Sequence, residues 1–420
     1  MPQSPRAHSA SLQRRIEQHT LDLAREPAVA SARVEGEALL REAIPDADPA
    51  SVTRFPAIAE EITLNALVGL ADGRTGEDLP RLIMRTPRTL GGVPVPGNRG
   101  LHDNPDTFYR LVPLDGRSDF VLEGVAPEHP ATIFEFSALT AGWQTLGNLN
   151  REALGISPGS RFRVHFGPEP GPDCDHFVRL TEDAEMLLLR ETLADWSLER
   201  PSRLTIENRV DRGGERDRDD AAFVRHAAER VGKWFREAAR LTEAPLAQPA
   251  NVFASPVISG EHGKLVTMAY SIGHFHVRPG EALVLRIDPG EAAYVGAPIT
   301  NVWGTTNANL ARSASWNGHQ AALDSDGGFT LVLSLEDPGA HNWLDPDGLE
   351  RGFLFVRWAG LDPDRPPKRA PAIDVQLVSM SVLRDVLPAE TRWVDASERK
   401  RILERRASTH ALRFQEFGDE

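Results

Sequence analysis

Cysteine and long apolar runs are nearly absent from this 420-residue chain. Its one cysteine, Cys174, has no second thiol in the chain, so the fold cannot depend on an intrachain disulfide or on an oxidising compartment. No stretch is apolar over the roughly 20 residues that a membrane-spanning helix needs, and the first residues lack the apolar core of a signal peptide. We therefore expect a cytoplasmic protein with no membrane partner.

Positive charge is scarce relative to negative charge. Asp and Glu outnumber Lys and Arg by 61 to 47, which gives a formal net charge of -14. Because nucleic-acid binding draws its affinity from clustered cations, we expect no nucleic-acid partner. The chain also lacks a Walker loop, a Gly-x-Gly-x-x-Gly fingerprint and any paired-cysteine motif, so a nucleotide enzyme or a dinucleotide oxidoreductase is not expected.

What the chain does contain is one pattern that occurs twice, about one domain length apart. In each copy an extended segment leads through a Pro-Gly turn to a short mixed segment and then to an apolar run that an arginine closes; Trp196 and Trp358 follow the two arginines. The segments are 162–166, 170–171, 175–180, 186–189 and Arg190 in the first copy, and 329–334, 338–339, 341–345, 353–356 and Arg357 in the second. Since solenoid repeats are far shorter, this pattern predicts two copies of one β-rich unit.

The hydrophobic periodicity changes along the chain. Spacings of three and four, typical of helices, extend to about residue 85, recur at 224–241 and return in the charged segment 397–411. The last of these has few apolar residues, so we expect it to dock weakly or to contact another subunit. We predict a helical segment at 1–92, a first β unit at 93–212, a bridging amphipathic helix and linker at 213–250, a second β unit at 251–388, and a carboxy-terminal helix and tail at 389–420.

Two short groups place a tryptophan beside carboxylates, as glycan sites often do. An indole ring stacks on a sugar face, and two carboxyl groups can act as proton donor and as base or nucleophile. We take four carboxylates as candidate catalytic residues and two tryptophans as candidate substrate-binding residues: Asp195, Glu199, Asp345 and Asp347, with Trp196 and Trp343. The alternative is that each indole fills the core and donates to a nearby acceptor.

Arg190 and Arg357, which close equivalent runs, are further candidate substrate-binding residues. They would bind an anionic substrate or, alternatively, pair with neighbouring acids. Asn317 and His319 lie beside Trp316 in a segment that leads to a predicted turn, and they complete the predicted substrate-binding set.

His274 and His276 alternate in a predicted strand and therefore share a face, and Glu281 follows as a carboxylate does in the histidine motif of cupins. A cupin-like metal-dependent enzyme is thus one alternative, with His319 or His341 as a further ligand. A hydrogen-bonded pair of histidines at the surface explains the same residues, and we expect no metal and no cofactor.

Short motifs in both copies resemble those of a known bacterial family. They lie at 104–110, 187–190, 195–201, 324–329, 337–339 and 342–345. The family is that of domain of unknown function 1214, often found in tandem with domain of unknown function 1254. The resemblance spans about residues 95–395 and implies two tandem jelly-roll-like antiparallel β-sandwiches, in a mainly β protein with helices (α+β). It implies no activity.

The functional hypothesis is a hydrolase or lyase that acts on a glycan or another small organic substrate through paired carboxylates. Its site would lie in the groove between the two sandwiches or at a subunit contact. A non-catalytic ligand-binding or assembly protein is the alternative, and the metal-dependent enzyme is a second one. The partners that we expect are this small molecule and, in a homo-oligomer, further copies of the chain.

Overall fold

The computed structural model describes residues 5–70, 80–90, 93–114, 116–140, 144–171, 175–210, 220–258, 265, 267–307 and 312–414. Cys174 and the predicted boundaries at 92 and at 212–213 lie outside these ranges. The described residues form helices and several antiparallel sheets, a mixed α+β fold. None of the helices in these ranges combines the length and apolar composition that a membrane crossing requires.

The chain begins with three helices: α1 is Pro5–Ala24, α2 is Pro27–Ala43 and α3 is Pro49–Val68. Pro27 and Pro49 stand in first turns, where a backbone N–H would have no helical acceptor. Asp48 caps α3, because its side chain accepts the backbone N–H of Ser51 at 3.0 Å. These local signals fix where the helices start.

The first sandwich consists of two sheets whose inner faces enclose an apolar core that includes Leu122, Phe136 and Leu187. One sheet has the order β1-β4-β10-β6-β7 and the other β11-β5-β8-β9, with a separate β2-β3 hairpin. The strands are β1 Arg81–Ile83, β2 Arg88–Leu90, β3 Val93–Val95, β4 Thr107–Pro113, β5 Asp119–Val125, β6 Ile133–Thr140, β7 Thr145–Asn150, β8 Arg161–Gly167, β9 His176–Arg179, β10 Ala184–Thr192 and β11 Arg203–Val210.

The second sandwich is built in the same way around its own core, which includes Leu285, Leu331 and Trp358. Its sheets have the orders β12-β13-β19-β15-β16 and β18-β17-β14-β20. The strands are β12 Val257–Ile258, β13 Met268–His276, β14 Glu281–Asp288, β15 Tyr294–Thr300, β16 Ser315–Asn317, β17 Phe329–Leu333, β18 Trp343–Leu344, β19 Arg351–Ala359 and β20 Ala372–Ser379.

The two strand orders correspond one to one, which confirms the predicted duplication. Both copies even share the same exception to antiparallel pairing, since β8 pairs with β9 and β17 pairs with β18 in parallel. Arg190 lies opposite Tyr109, and Arg357 lies opposite Tyr270. Trp196 and Trp358 are not equivalent, however, because Trp358 directly follows Arg357 on β19 whereas Trp196 lies beyond the end of β10.

The first sandwich begins earlier than the sequence predicts. Strand β1 precedes residue 93 by ten residues or more and pairs with β4 at the edge of the five-stranded sheet. All three of its residues are buried. So short a strand shows no alternation of buried and exposed residues that would distinguish it from the end of a helix.

The bridging helix α4, Asp220–Leu246, packs against α2 and α3 rather than standing alone between the sandwiches. Gly36 lets α2 approach closely, since a Cβ there would lie 2.4 Å from the ring of Phe235. The Trp234 indole donates to Asn65 of α3 at 2.7 Å. The same helical layer reaches the second sandwich, because the indole of Trp303 donates to the carbonyl of Ser51 at 3.0 Å.

The carboxy-terminal helix α6, Ala396–Leu412, does not dock weakly as predicted. A short 3-10 turn, Met380–Val382, and helix α5, Leu383–Val386, precede it. Arg399, Arg406 and Arg413 recur every seven residues and are all buried, so they form one stripe on the helix. Arg399 lies over the ring of Trp343, and Arg406 and Arg413 lie over that of Trp196. Cationic side chains therefore attach α6 to both sandwiches, together with Ile402, which packs against the core of the second one.

We expect replacement of Arg406 by alanine to lower the free energy of unfolding by about 2–4 kcal/mol, because it removes a ring contact and leaves buried acceptors without a donor. Arg406 donates to the carbonyl of Arg312 at 3.0 Å and to Ser315. The exposed Arg401→Ala change on the same helix is the control and should alter stability by no more than about 0.5 kcal/mol. Urea unfolding measures both, and equal effects would contradict the role given to the stripe.

Candidate functional site

The outer faces of the two five-stranded sheets lie against each other. Ile133 and Ala194 of the first unit form one apolar cluster with Met268, Tyr294 and Ala359 of the second. This contact places the outward-facing side chains of both sheets in the space between the sandwiches. Two cavities open there.

One row of side chains crosses each of these sheets at equivalent positions. The rows are Ile83, Tyr109, Arg190, Glu135 and Asn150 in the first sheet, and Val257, Tyr270, Arg357, Gly296 and Asn317 in the second. Tyrosine, arginine and asparagine thus occur at the same places in both copies. Glutamate and glycine differ.

The first cavity, called here the arginine pocket, has a volume of about 130 Å³. Both repeats and helix α4 contribute to its wall. The lining residues are Ile83, Met84, Leu101, His102, Asp103, Tyr109, Leu188 and Arg190 from the first half, Glu237 and Leu241 from α4, and Tyr270, Phe355 and Arg357 from the second half. The predicted binding residues Arg190 and Arg357 therefore line one cavity.

Arg357 is buried and has no acidic partner among the described residues. Its guanidinium donates to the carbonyl oxygen of Phe355 at 3.1 Å and to that of His102. It also lies over the Phe355 ring, 4.3 Å from the centroid. Carbonyl oxygens compensate a buried cation only in part, so Arg357 keeps a positive field in the pocket.

The acids that line the pocket have partners of their own. Asp103 accepts from the hydroxyl of Thr306 at 2.6 Å, and burial raises the pKa of its carboxyl. Glu237 pairs with Arg240 one turn further along α4. Arg357, by contrast, contacts carbonyl oxygens and a ring rather than an acid among the residues described.

His102 supplies a neutral ring to the pocket wall. Burial lowers its pKa to about 3, and the charge of Arg357 acts in the same direction. Its Nδ1 lies 3.1 Å from the hydroxyl of Thr300, while its buried Nε2 has no hydrogen-bond partner among the residues described. A buried ring nitrogen without a partner is a position that a ligand can satisfy.

Two tyrosine hydroxyls complete the polar wall. Burial raises the pKa of Tyr109 and also that of Tyr270, while the charges of Arg190 and Arg357 act in the opposite direction on both. The hydroxyl of Tyr109 accepts the backbone N–H of Asn104 at 3.1 Å. Both phenols are therefore protonated near neutral pH, and the Tyr270 hydroxyl donates to the weak acceptor Met268 Sδ at 3.3 Å.

The second cavity, called here the acidic groove, has a volume of about 850 Å³ and shares no lining residue with the arginine pocket. Glu135 lines it from β6, next to Arg190 in the same row. Burial raises the pKa of Glu135, against the effects of a hydrogen bond from the Thr267 hydroxyl and of the charge on Arg190.

A buried carboxylate, Asp106, joins the two units through hydrogen bonds. It accepts from the indole of Trp196 at 3.0 Å, from the hydroxyl of Tyr294 at 2.6 Å and from the amide of Asn317 at 3.0 Å. Asn104 also donates to Tyr294, at 3.0 Å. The segment 104–110 therefore joins the sandwiches and positions Tyr109 at the pocket.

Asp195 and Glu199, predicted as catalytic, line neither cavity. Glu199 accepts the backbone N–H groups of Thr132 and Ala194, at 2.9 and 3.0 Å. Asp195 accepts from Ser197 and lies 3.3 Å from the ring of His319. Burial raises the pKa of Asp195, but its hydrogen bonds outweigh this and the net pKa is lowered. These contacts stabilise a turn.

Asp345 and Asp347 lie in a different loop, where Arg312 binds both at 2.6 and 2.8 Å. Asp345 also accepts the backbone N–H of Asp347 at 2.8 Å, and Asp347 lies 3.2 Å from Arg54. Neither residue lines a cavity described above. Catalysis by the four carboxylates stays a prediction, and their observed partners are those of structural acids.

The other predicted substrate-binding residues are mostly interior ties. The indole of Trp196 donates a hydrogen bond to Asp106, and that of Trp343 donates to the carbonyl of Ser334 at 3.0 Å. Both are buried side chains with a nearby acceptor, which is the alternative given for them in the sequence analysis. Asn317 is fully buried. His319 is half exposed and touches Asp195 rather than a cavity wall.

His274 and His276 do share a face of β13, but His274 and Glu281, two of the three proposed ligands, contact protein groups. His274 Nδ1 lies 2.9 Å from the carbonyl of Pro245, and Glu281 accepts the backbone N–H of Arg278 at 2.9 Å. Within the described ranges no group of three or more His, Cys, Asp or Glu residues is arranged to hold a metal ion.

Residues 155–159 read Gly-Ile-Ser-Pro-Gly, which is the spacing of a nucleophile elbow. An elbow requires a helix directly after the serine. Here the segment forms turns between β7 and β8 rather than the start of a helix, and the backbone N–H of Ser157 donates to the hydroxyl of Ser160 at 3.0 Å. The motif is therefore a coincidence of turn residues.

Sequence reasoning missed Glu135, His102 and Tyr270. The repeat carried a signal for Tyr270 only, since aligning Arg190 with Arg357 places Tyr109 and Tyr270 opposite them. Glu135 and His102 have no counterpart in the other copy. Only the packing of the sheets identifies them.

We expect the Glu135→Gln variant to gain stability relative to the wild type as pH rises above about 4.5. A carboxyl whose folded pKa is raised stabilises the fold below the unfolded pKa, and this contribution is lost as pH rises through the folded pKa. Glutamine does not titrate and still accepts from Thr267. Urea unfolding at several pH values measures the difference; the exposed Glu123→Gln control should show none, and a difference that does not grow with pH would contradict the prediction.

Comparison with known proteins identifies the fold. No family model and no curated protein matches the chain. The structure is similar to the crystal structure of an uncharacterised protein from Burkholderia cenocepacia, with a TM-score of 0.68 and 20% sequence identity over 87% of this chain and 100% of that one. A structure from Vibrio parahaemolyticus matches with a TM-score of 0.42 and 13% identity, over 66% of this chain and 90% of that one. At 20% identity, the first similarity shows that the chain shares the fold of the Burkholderia protein.

Proposed function

We propose that the protein binds a small organic anion, such as a carboxylate with an apolar body, in the arginine pocket. The observation that carries this proposal is that Arg357, buried and without an acidic partner in the described chain, lines a cavity together with its repeat-related counterpart Arg190. An anion supplies the charge that backbone carbonyls cannot.

The pocket also offers contacts to the uncharged part of such a ligand. Leu188, Leu241 and Phe355 give it apolar surface, while Tyr109 and Tyr270 bring hydroxyl groups to the same wall. Because a volume of about 130 Å³ is below the roughly 300 Å³ of typical drug-sized sites, the ligand is small. Few precisely placed polar groups on an apolar wall are characteristic of specific small-molecule sites.

This proposal develops the ligand-binding alternative of the sequence analysis. Cleavage of a glycan by a hydrolase or lyase reaction remains a proposal. No carboxylate pair is assigned to it, since the four predicted carboxylates do not line either of the two inter-unit cavities. Membership of the domain of unknown function 1214 family, in a cytoplasmic protein, is proposed on the sequence motifs alone.

We expect benzoate and aliphatic monocarboxylates to raise the melting temperature of the wild-type protein, and their neutral amides to have no effect, because a ligand that binds only the folded state stabilises it by mass action. In the Arg357→Met variant the affinity for the carboxylate should fall roughly 10- to 100-fold, the value of a charged hydrogen bond. Calorimetric titration measures this fall.

The matched control is Arg351→Met, on the same strand β19 but outside the pocket, where the arginine donates to the carbonyl of Asp46 at 3.2 Å. It should bind the carboxylate as the wild type does. Arg357→Lys keeps the charge and should recover part of the affinity. Equal binding by Arg357→Met and the wild type would overturn the proposal.

A further inference from the structure

The acidic groove is the larger of the two inter-unit cavities and plays no part in the anion site. Its volume of about 850 Å³ lies within the roughly 300–1,000 Å³ typical of small-molecule sites. Both units form its walls, with Ile133 and Phe134 from the first and Ala269 and Leu361 from the second. A ligand in the groove would therefore contact apolar side chains of both units.

Glu135 brings an incompletely satisfied carboxylate to this groove. The residue is 2% exposed, and its Oε1 accepts from the hydroxyl of Thr267. Its Oε2 is buried and accepts no hydrogen bond from any residue that the structure describes. Since a buried polar atom without a partner costs about 1–3 kcal/mol, a donor that arrives from the groove would gain this free energy.

Most of the remaining charged side chains of the groove are negative, like Glu135. Besides Glu135, four carboxylates and two arginines line it: Glu152, Glu291, Asp362 and Asp364, with Arg151 and Arg365. Arg365 already lies 3.8 Å from Glu291 and 3.5 Å from Asp362, and Arg151 donates to the carbonyls of Ala131 and Ile156. The groove as a whole is therefore negative and repels anions.

The exposed wall of the groove consists largely of proline and aliphatic side chains. Pro256, Pro363, Pro367 and Pro371 line it, and Ile258 does so while 43% exposed. Proline fixes its own backbone dihedral φ, which restricts the backbone along this wall. An apolar wall around a buried acid suits a ligand with an apolar body and a cationic end.

We propose that the acidic groove binds a small organic cation, an ammonium or guanidinium group carried on an apolar body, and that the cationic group donates to Glu135. Thr267 fixes the carboxylate by its hydrogen bond to Oε1, and Oε2 accepts from the ligand. Glu135 and Arg190 are neighbours in one row, yet they line different cavities, so the molecule holds a cation site and an anion site side by side.

The test uses three compounds of similar shape on the full-length protein: benzylammonium, its neutral isostere benzyl alcohol, and benzoate. Calorimetric titration and thermal shift should show that benzylammonium binds the wild type, and that benzyl alcohol binds at least about tenfold more weakly. In Glu135→Gln, the affinity for benzylammonium should fall at least about tenfold, because an amide oxygen replaces the charged acceptor. The exposed Glu123→Gln variant, outside the groove, should bind as the wild type does.

The Arg357→Met variant separates this inference from the proposed function. It should retain benzylammonium binding while losing benzoate binding, and Glu135→Gln should retain benzoate binding. Unfolding curves of each variant establish that it is folded. The inference is overturned if neither benzylammonium nor benzylguanidinium binds at about 10 mM, if benzyl alcohol binds as tightly as the ammonium, or if Glu135→Gln binds the ammonium as the wild type does.

Discussion

The buried carboxylate of Asp106 is the contact on which the arrangement of the two sandwiches depends. It comes from the segment that enters β4, and it accepts from one donor of its own unit and two of the other. A carboxylate that accepts three hydrogen bonds in the interior fixes the directions of all three donors. Because both cavities lie between the units, this contact also fixes the distance between their walls.

Buried arginine side chains connect the elements of this fold. Lysine occurs only four times in the chain, and buried arginines at 81, 99, 110, 357, 399, 406 and 413 reach carbonyls, acids or rings. The planar guanidinium can serve several acceptors at once and stack on an aromatic face. The contrast within this set is informative: Arg99 and Arg110 pair with the buried Glu61 and Glu191, whereas Arg357 pairs with no acid in the part of the chain that the structure describes.

The sequence was sufficient to predict the duplication but not to identify most residues of the site. The Pro-Gly turns and arginine-closed runs are local signals, and they predicted β8–β10 and β17–β19 correctly. The arrangement of Arg190 and Arg357 in one cavity needed their equivalence in the repeat. The tryptophan–carboxylate groups left two interpretations open, because a buried indole beside an acid looks the same in sequence whether the acid caps a turn or faces a ligand. The packing of one sheet against another produces no periodic pattern in the sequence, so Glu135 and His102 could not be identified as site residues before the structure.

The two rows also explain how one duplicated unit produced two unlike cavities. Tyrosine, arginine and asparagine are repeated, but the position of Glu135 is occupied by Gly296 in the second copy. A Cβ at Gly296 would lie 2.0 Å from the hydroxyl of Tyr294, so glycine is what allows that hydroxyl to reach Asp106. The second copy therefore uses this position to join the units, while the first copy keeps a carboxylate there. At this one position of the row the first copy therefore presents an acid to the acidic groove, where the second copy has no side chain.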